Sequence, residues 1–327
     1  MFSRTISYLR LSLTDRCNLR CVYCMPEDDK HKLHLLQRED LLSFEELLRI
    51  VKLVVNMGMN KIRLTGGEPL VRRGVMDFIS SLADIDGLDE IRLTTNGVLL
   101  REKAAGLYDA GIRKLNISLD TMKAERFRHI TGSDLFGQVW QGIETAASLG
   151  FDVKLNVVAM QGVNDDEFVD FARLAVEKAY QVRFIEFMPV GDHSTWNEAS
   201  YISSTDLKTQ IGSFGNLEPF PGSRMDGPAR VYTITAENGL QGKIGFISPI
   251  SHHFCDTCNR LRLTSAGRLR ACLLHDREAD LKTLLRSGAD DDEIRGLIKQ
   301  TILDKPKGHT LAEDQLSCSG QMSRIGG

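Results

Sequence analysis

The chain has 327 residues, long for one compact domain and able to bury roughly three quarters of its unfolded surface without disulfide staples. Its 41 Lys and Arg against 44 Asp and Glu leave a formal charge of −3. That balance gives no bulk reason to expect nucleic acid or an anionic membrane as partner, so any anionic ligand must meet a local basic site. No segment reaches the ~20 apolar residues of a membrane span. The N-terminus carries Arg4, Arg10, Asp15 and Arg16 and has no apolar export core. The expected location is therefore the cytoplasm, where thiols stay reduced.

In chain order, strands are expected at 7–13, 61–65, 90–95, 114–119, 153–159 and 182–187, each rich in Ile, Leu, Val or Phe and closed by turn-compatible residues. Between them lie amphipathic stretches. The clearest opens at Ser43, with Glu46 as its capping-box partner, and runs through Leu47, Ile50, Val51, Val54 and Met57 to Gly58. Further helices are expected at 74–83, 99–109, 136–148 and 165–178. Six strands alternating with five helices predict an α/β fold with a right-handed parallel sheet, either open or curved into a partial barrel. After about residue 190 the pattern changes. Short strands at 231–235, 243–247 and 261–264 are expected to be antiparallel, followed by helices at 281–286 and 292–304 and a polar tail. This gives two unequal lobes, residues 5–220 and 221–327.

Seven cysteines in a reducing compartment call for metal sites more than for disulfides. Cys17, Cys21 and Cys24 follow the first strand, at the mouth of a parallel barrel where loops present functional groups. Three thiolates leave one metal position open. By spacing alone, zinc completed by His31 or His34 and an iron–sulfur cluster fit equally. Cys255, Cys258 and Cys272 form a second set of three, and His275 could complete a zinc knuckle there. Cys318 stands alone in the tail and receives no role.

Gly66-Gly67-Glu68-Pro69 closes the second strand, where the glycines allow close backbone approach and Glu68 offers a carboxylate for an ammonium. Thr94 to Gly97 end the third strand and Asn116 to Asp120 the fourth. Both read equally as turns or caps. Arg10, Arg63 and Lys154 lie within strands, and a cation pointing into a barrel is costly unless it meets an anion.

The C-x3-C-x2-C run with Tyr23 before its last cysteine resembles the signature of the radical S-adenosylmethionine (SAM) superfamily. Cys258 to Arg262, Asp226 to Ala229, Phe184 to Met188 and the terminal Gly326-Gly327 extend that resemblance to one family within it, the GTP 3',8-cyclases of molybdenum cofactor biosynthesis. The resemblance spans essentially the whole chain from Tyr8. It implies a partial (βα)6 TIM-type barrel with a C-terminal extension of short antiparallel strands and helices. It implies a [4Fe–4S] cluster on Cys17, Cys21 and Cys24 that binds SAM, and a second on Cys255, Cys258 and Cys272 that binds the substrate guanine. SAM contacts would fall on Tyr23, Gly67, Ser118 and Met188. GTP contacts would fall on Arg10, Arg63, Thr94, Lys154, Arg260, Leu261 and Arg262.

The reaction implied is SAM cleavage, hydrogen abstraction from the ribose C3', and ring closure onto C8 of the guanine. The Gly326-Gly327 tail would reach the active site. An electron donor and a downstream cyclic pyranopterin monophosphate synthase would be the partners, with no nucleic acid and no membrane, and with monomer and homodimer both open. Two alternatives remain at this point, a radical SAM peptide-modifying enzyme with an auxiliary cluster and a zinc-dependent structural or nucleic-acid-binding protein.

Overall fold

A computed structural model describes residues 4–25, 35–191, 195–221, 227–308 and 320–326. Six strands pair in sequence order, each parallel to the next. They are β1 (Tyr8–Ser12), β2 (Lys61–Thr65), β3 (Glu90–Thr95), β4 (Lys114–Ser118), β5 (Asp152–Ala159) and β6 (Gln181–Glu186). The connections carry α1 (Phe44–Asn56), α2 (Val75–Ala83), α3 (Leu100–Asp109), α4 (Ala124–Thr131), α5 (Phe136–Ser148) and α6 (Phe168–Glu177). These are the expected crossovers of a parallel sheet, whose neighbours cannot be joined by a hairpin.

Two of these differ from the sequence reading. The eight-residue α4 was not expected, because two turns give too short a window for helical periodicity to stand out. The stretch at 165–178 divides into a 3₁₀ turn, Asp165–Glu167, and then α6. The first helix starts as expected. Ser43 Oγ accepts from the Glu46 amide at 3.2 Å, and the Glu46 carboxylate accepts from the Ser43 amide at 2.6 Å. Leu47, Ile50, Val51 and Val54 then face the core.

Beyond β6 the chain forms α7 (Ser204–Gly212), β7 (Gly215–Pro219), β8 (Arg230–Ala236) and β9 (Gln241–Ile247). Next come β10 (Arg260–Leu263), β11 (Arg268–Arg270), β12 (Glu278–Asp280), α8 (Leu281–Arg286), α9 (Asp291–Leu303) and the short α10 (Met322–Ile325). The expected antiparallel pairing holds for β8 with β9; β8 and β10 also pair antiparallel with β7 and β11, and β11 with β12, three short strands that the sequence reading did not name. On their other sides, however, β9 lies parallel to β6 and β10 parallel to β1. The six strands thus become a parallel run of eight inside a twelve-stranded sheet. A strand of four to seven residues names its own faces but not its neighbours, so this enlargement is invisible in the sequence.

Among the described residues the outer strands β12 and β7 do not pair with each other. The sheet nevertheless wraps one cavity, to which β1 to β6, β9 and β10 all contribute side chains. This is the partial barrel. Its outer face is apolar. Leu9, Leu11, Ile62, Leu64, Leu93, Leu115, Ile117, Leu155, Val182, Phe184 and Leu261 are all fully buried against the helices.

Ser43→Ala removes the α1 cap and should lower the unfolding free energy by about 1 kcal/mol. A lower thermal midpoint with unchanged far-ultraviolet circular dichroism at 20 °C would show this. An unchanged midpoint would mean that the packed stripe alone holds the helix.

Candidate active site

Strand alternation that buries leucines outward must turn the intervening residues inward. Those residues are polar, and many are basic. Arg10 aligns with Arg63 across β1 and β2, and Arg63 with Arg92 across β2 and β3. On the other side Arg10 aligns with Arg262. Tyr8, Thr94, Asn116, Ser118, Asn156, Arg183 and Arg260 join them around a cavity of ≈ 320 Å³.

Six guanidinium groups therefore face one space. Burial, reinforced by Arg260, pulls Arg262 down to about 9. Burial, with Arg63 and Arg92 nearby, pulls Arg183 down to about 10. Arg183 Nε and Asn156 Oδ1 find no hydrogen-bond partner among the described residues. A wall of this kind is built for an anion with many acceptor oxygens.

The N-terminal thiols sit beyond the C-terminal end of β1. Their loop is pinned to α4, since the Arg20 amide donates to Thr131 O at 2.8 Å and the Val22 amide to Ile130 O at 2.9 Å. It is pinned to β2 by the Gly67 amide to Thr14 O, 2.7 Å, and the Glu68 amide to Arg16 O, 2.8 Å. A Cβ on Gly67 would overlap the Arg16 carbonyl, so glycine is what admits the cysteine loop. Glu68 departs from its expected role. It is fully buried, and its carboxylate accepts from Leu70 N, Thr95 Oγ1 and Asn96 N at 3.0, 2.9 and 2.7 Å. It ties the ends of β2 and β3 together and does not line the cavity.

Cys17, Cys21 and Cys24 all line the cavity and are free. Burial raises each thiol, Cys24 to about 12, and the neighbouring thiols raise Cys21 and Cys24 further. Three thiols held together in their protonated form are the donor set of a cluster with one open iron, whose positive core would draw off their protons, and the residues fit it. Tyr23 Oη donates to Asp120 Oδ2 at 2.6 Å, which anchors the loop to the end of β4.

The second thiol set lies at the other end of the barrel. Cys255 and Cys258 precede β10, and Cys272 follows β11, which runs antiparallel to it. All three line the same cavity. Burial raises the Cys258 thiol, but Arg260 and Lys305 outweigh burial and bring it down to about 6. His275, the candidate fourth zinc ligand, accepts at Nδ1 from the Arg277 amide at 3.2 Å and does not line the cavity. Among the described residues no three His, Cys, Asp or Glu converge as the shell of a single metal ion.

The tail enters between these ends. Gly326 O accepts from Arg262 Nη1 at 2.7 Å and from Arg10 Nη2 at 3.0 Å. The φ of Gly326 is 73°, and a Cβ there would overlap Thr65 Oγ1, so only glycine fits.

Among the remaining sequence-predicted residues, Tyr23, Gly67, Thr94, Ser118 and Met188 line the cavity. Lys154 lies outside the lining and pairs with Asp152 at 2.9 Å. Leu261 points to the outer core, as its position between Arg260 and Arg262 demands. Gly327, Cys318, His31, His34 and Asp226 lie outside the described residues. Arg92 and Arg183 were missed. Their signal was parity, since Arg92 is two residues before Thr94 and Arg183 two before Ile185, both of which line the cavity.

The radical SAM superfamily model matches residues 11–175, and the model described as Molybdenum Cofactor Synthesis C matches residues 180–311. The GTP 3',8-cyclase of Thermodesulfovibrio yellowstonii is 47% identical over 100% of this chain and 99% of its own. That of Moorella thermoacetica is 46% identical with the same coverage. The chain belongs to the GTP 3',8-cyclase family. The crystal structure of Streptococcus suis SuiB shares the fold at a TM-score of 0.61 and 13% identity, covering 98% of this chain and 77% of that one. As a radical SAM protein this family member carries a [4Fe–4S] cluster and binds SAM. Among the described residues no helix is long and apolar enough to cross a membrane.

Gly326→Ala should expel the tail from the barrel. Losing two charge-assisted hydrogen bonds of roughly 1.5–3 kcal/mol each removes protection by about a hundredfold or more. Hydrogen–deuterium exchange of the 320–326 peptide reads this, and unchanged exchange would show that the barrel tolerates a side chain there.

Proposed function

We propose that this chain converts GTP to 3',8-cyclo-7,8-dihydro-GTP with SAM as co-substrate, the first step of molybdenum cofactor biosynthesis. The observation that carries the reading is one cavity with a three-thiol loop at each end and six arginines between. β1 rises roughly 17 Å over its five residues, enough to separate two cofactor sites by the length of a nucleoside.

Cys17, Cys21 and Cys24 would hold the cluster that binds SAM, and Tyr23, Gly67, Ser118 and Met188 would seat SAM beside it. Cys255, Cys258 and Cys272 would hold a second [4Fe–4S] cluster facing the guanine. Once bound, the clusters and SAM supply one-electron reductive chemistry and a primary carbon radical. The protein's own part is placement. Arg10, Arg63, Arg183, Arg260 and Arg262 would clamp the triphosphate, with Thr94 completing the set and Leu261 holding its neighbours in register; Lys154 would join only by leaving Asp152. Fixing the ribose against SAM in this way replaces a diffusive encounter, worth about 7–11 kcal/mol when the reacting atoms nearly touch. The apolar outer layer and the cap formed by residues 320–326 keep water from the reacting carbons.

We further propose that residues 5–220 form the radical SAM partial barrel, which also lends Arg10, Arg63 and Arg183 to the triphosphate, and that 221–327 carry the second cluster and the rest of the substrate site, with the β7–β8 pairing bridging the two. An external electron donor and a downstream cyclic pyranopterin monophosphate synthase complete the scheme. Residence in the cytoplasm is proposed on the free thiols.

Anaerobic incubation with GTP, SAM and dithionite, followed by chromatographic separation of the nucleotides, tests the whole reading, because the cyclised product is an isomer of GTP with the same mass. Absence of a new nucleotide peak, or of deuterium transfer from 3'-deuterated GTP to 5'-deoxyadenosine, with iron-loaded protein would defeat it. Serine at Cys17, Cys21 or Cys24 should abolish SAM cleavage. Serine at Cys255, Cys258 or Cys272 should leave uncoupled cleavage without cyclised nucleotide. Equal loss in both sets, with folding intact, would remove the division of labour.

Arg183→Ala separates anion binding from fold. It should raise the KM for GTP about tenfold or more, the loss of one charge-assisted contact. SAM affinity and iron content should stay near wild type. A fall in thermal midpoint without a kinetic change would return Arg183 to the scaffold.

A further inference from the structure

Asn96 follows β3 and is held at its amide and at both polar atoms of its side chain. Its amide donates to Glu68 Oε2 at 2.7 Å. Its side-chain Oδ1 accepts from the Val98 amide at 3.1 Å, which fixes the orientation of the carboxamide. The opposite face, Nδ2, donates to Asn18 Oδ1 at 2.8 Å and to Cys17 Sγ at 3.6 Å. The Leu19 amide donates to the same sulfur at 3.4 Å. Glu68, the anchor of Asn96, is itself fully buried and held by three donors, so the NH₂ group is aimed at the sulfur through a rigid chain.

We propose that Asn96 is a positioning residue that raises the reduction potential of the N-terminal cluster through its N–H···S bond to Cys17. This rests on the reading that Cys17, Cys21 and Cys24 hold a [4Fe–4S] cluster. One-electron reduction adds one negative charge to the cluster and its sulfurs and moves no proton. A donor aimed at a ligating sulfur stabilises that added charge more than it stabilises the oxidised form. In a half-buried loop the effect is stronger than it would be in water. Easier reduction matters because the electron that cleaves SAM must first be taken up by this cluster.

The test uses full-length protein reconstituted with iron and sulfide, with Cys255, Cys258 and Cys272 all replaced by serine so that one cluster signal remains. Asn96→Ser keeps an oxygen to cap Val98, stays neutral and removes the carboxamide N–H. Asn96→Asp keeps the cap and removes the same N–H but adds a negative charge that lowers the midpoint by itself, so the neutral variant is the one that decides. A potentiometric titration followed by electron paramagnetic resonance reads the midpoint. With bound iron unchanged, the reduced-to-oxidised ratio at the parent's midpoint should fall about tenfold in Asn96→Ser and at least as far in Asn96→Asp, which is a fall of about 59 mV for one electron. Asn18→Ala, which removes the side-chain acceptor beside the sulfur but keeps the N–H···S bond, should leave the midpoint near that of the parent. A parent-like midpoint in Asn96→Ser would overturn the proposal. Loss of bound iron in both variants would overturn it too, by making Asn96 a brace for the loop. A parent protein that takes up no iron would instead defeat the cluster reading, and this proposal with it.

Discussion

Burying a guanidinium costs several kcal/mol unless acceptors meet it, and this barrel turns six of them toward one cavity. The rest of the architecture follows from making that affordable. The outer face of the sheet is a continuous apolar layer, with Leu9, Leu11, Leu64, Leu93, Leu115 and Ile117 fully buried beneath the helices. That layer supplies stability while the inner face stores unfavourable charge. Some of this charge is met within the protein. Arg92 pairs with Glu90 at 2.8 Å, and Arg63 shares a hydrogen bond with Tyr8 and another with Thr94 at 3.2 Å. The remainder is expressed as weakened basicity, seen in Arg262 and Arg183. An anion entering the cavity recovers what those residues give up, so affinity is prepaid by the fold.

The cysteine loops have the opposite problem, because they must be rigid without regular structure. Each is fixed by backbone bonds to elements that are already packed. The N-terminal loop borrows the end of α4 and the turn after β2, where Gly67 has no Cβ to collide with Arg16. The C-terminal loop is held by Arg4, whose Nη1 donates to Cys255 O at 2.8 Å, and by Lys305, whose Nζ donates to Arg260 O at 2.9 Å. Glu186 at the end of β6 accepts from the amides of Ile250 and Ser251, both at 3.0 Å, and so ties the two halves together just ahead of those cysteines.

How much of this the sequence discloses depends on range. The α1 capping box, the six parallel strands and both cysteine sets are local patterns and are legible by eye. The inward face was half legible. Arg10 and Arg63 stand out, whereas Arg92 and Arg183 show only through their parity with Thr94 and Ile185, once those two are known to face inward. The parallel docking of β9 and β10 was illegible, since their antiparallel partners are near in sequence and their parallel ones are 60 and 250 residues away by rough count. Glu68 shows the limit of motif reading. Its type and place suggested a ligand for an ammonium, but three donors already occupy the carboxylate.

The tail adds a final constraint on the same arginines. Gly326 O draws on Arg10 and Arg262, two members of the inner row that align directly across β1 and β10. A guanidinium has five N–H donors in a planar fork, so one carbonyl does not saturate it. A neutral carbonyl also gains less from a cation than a phosphate oxygen does. Tail and anion can therefore share these two side chains, each fixing the plane of the fork for the other. A residue with a Cβ at position 326 would hold the carbonyl away from both forks, because Thr65 blocks the approach. The same two arginines thus connect residues 320–326, the first strand of the barrel and β10, the strand that follows the second cysteine pair.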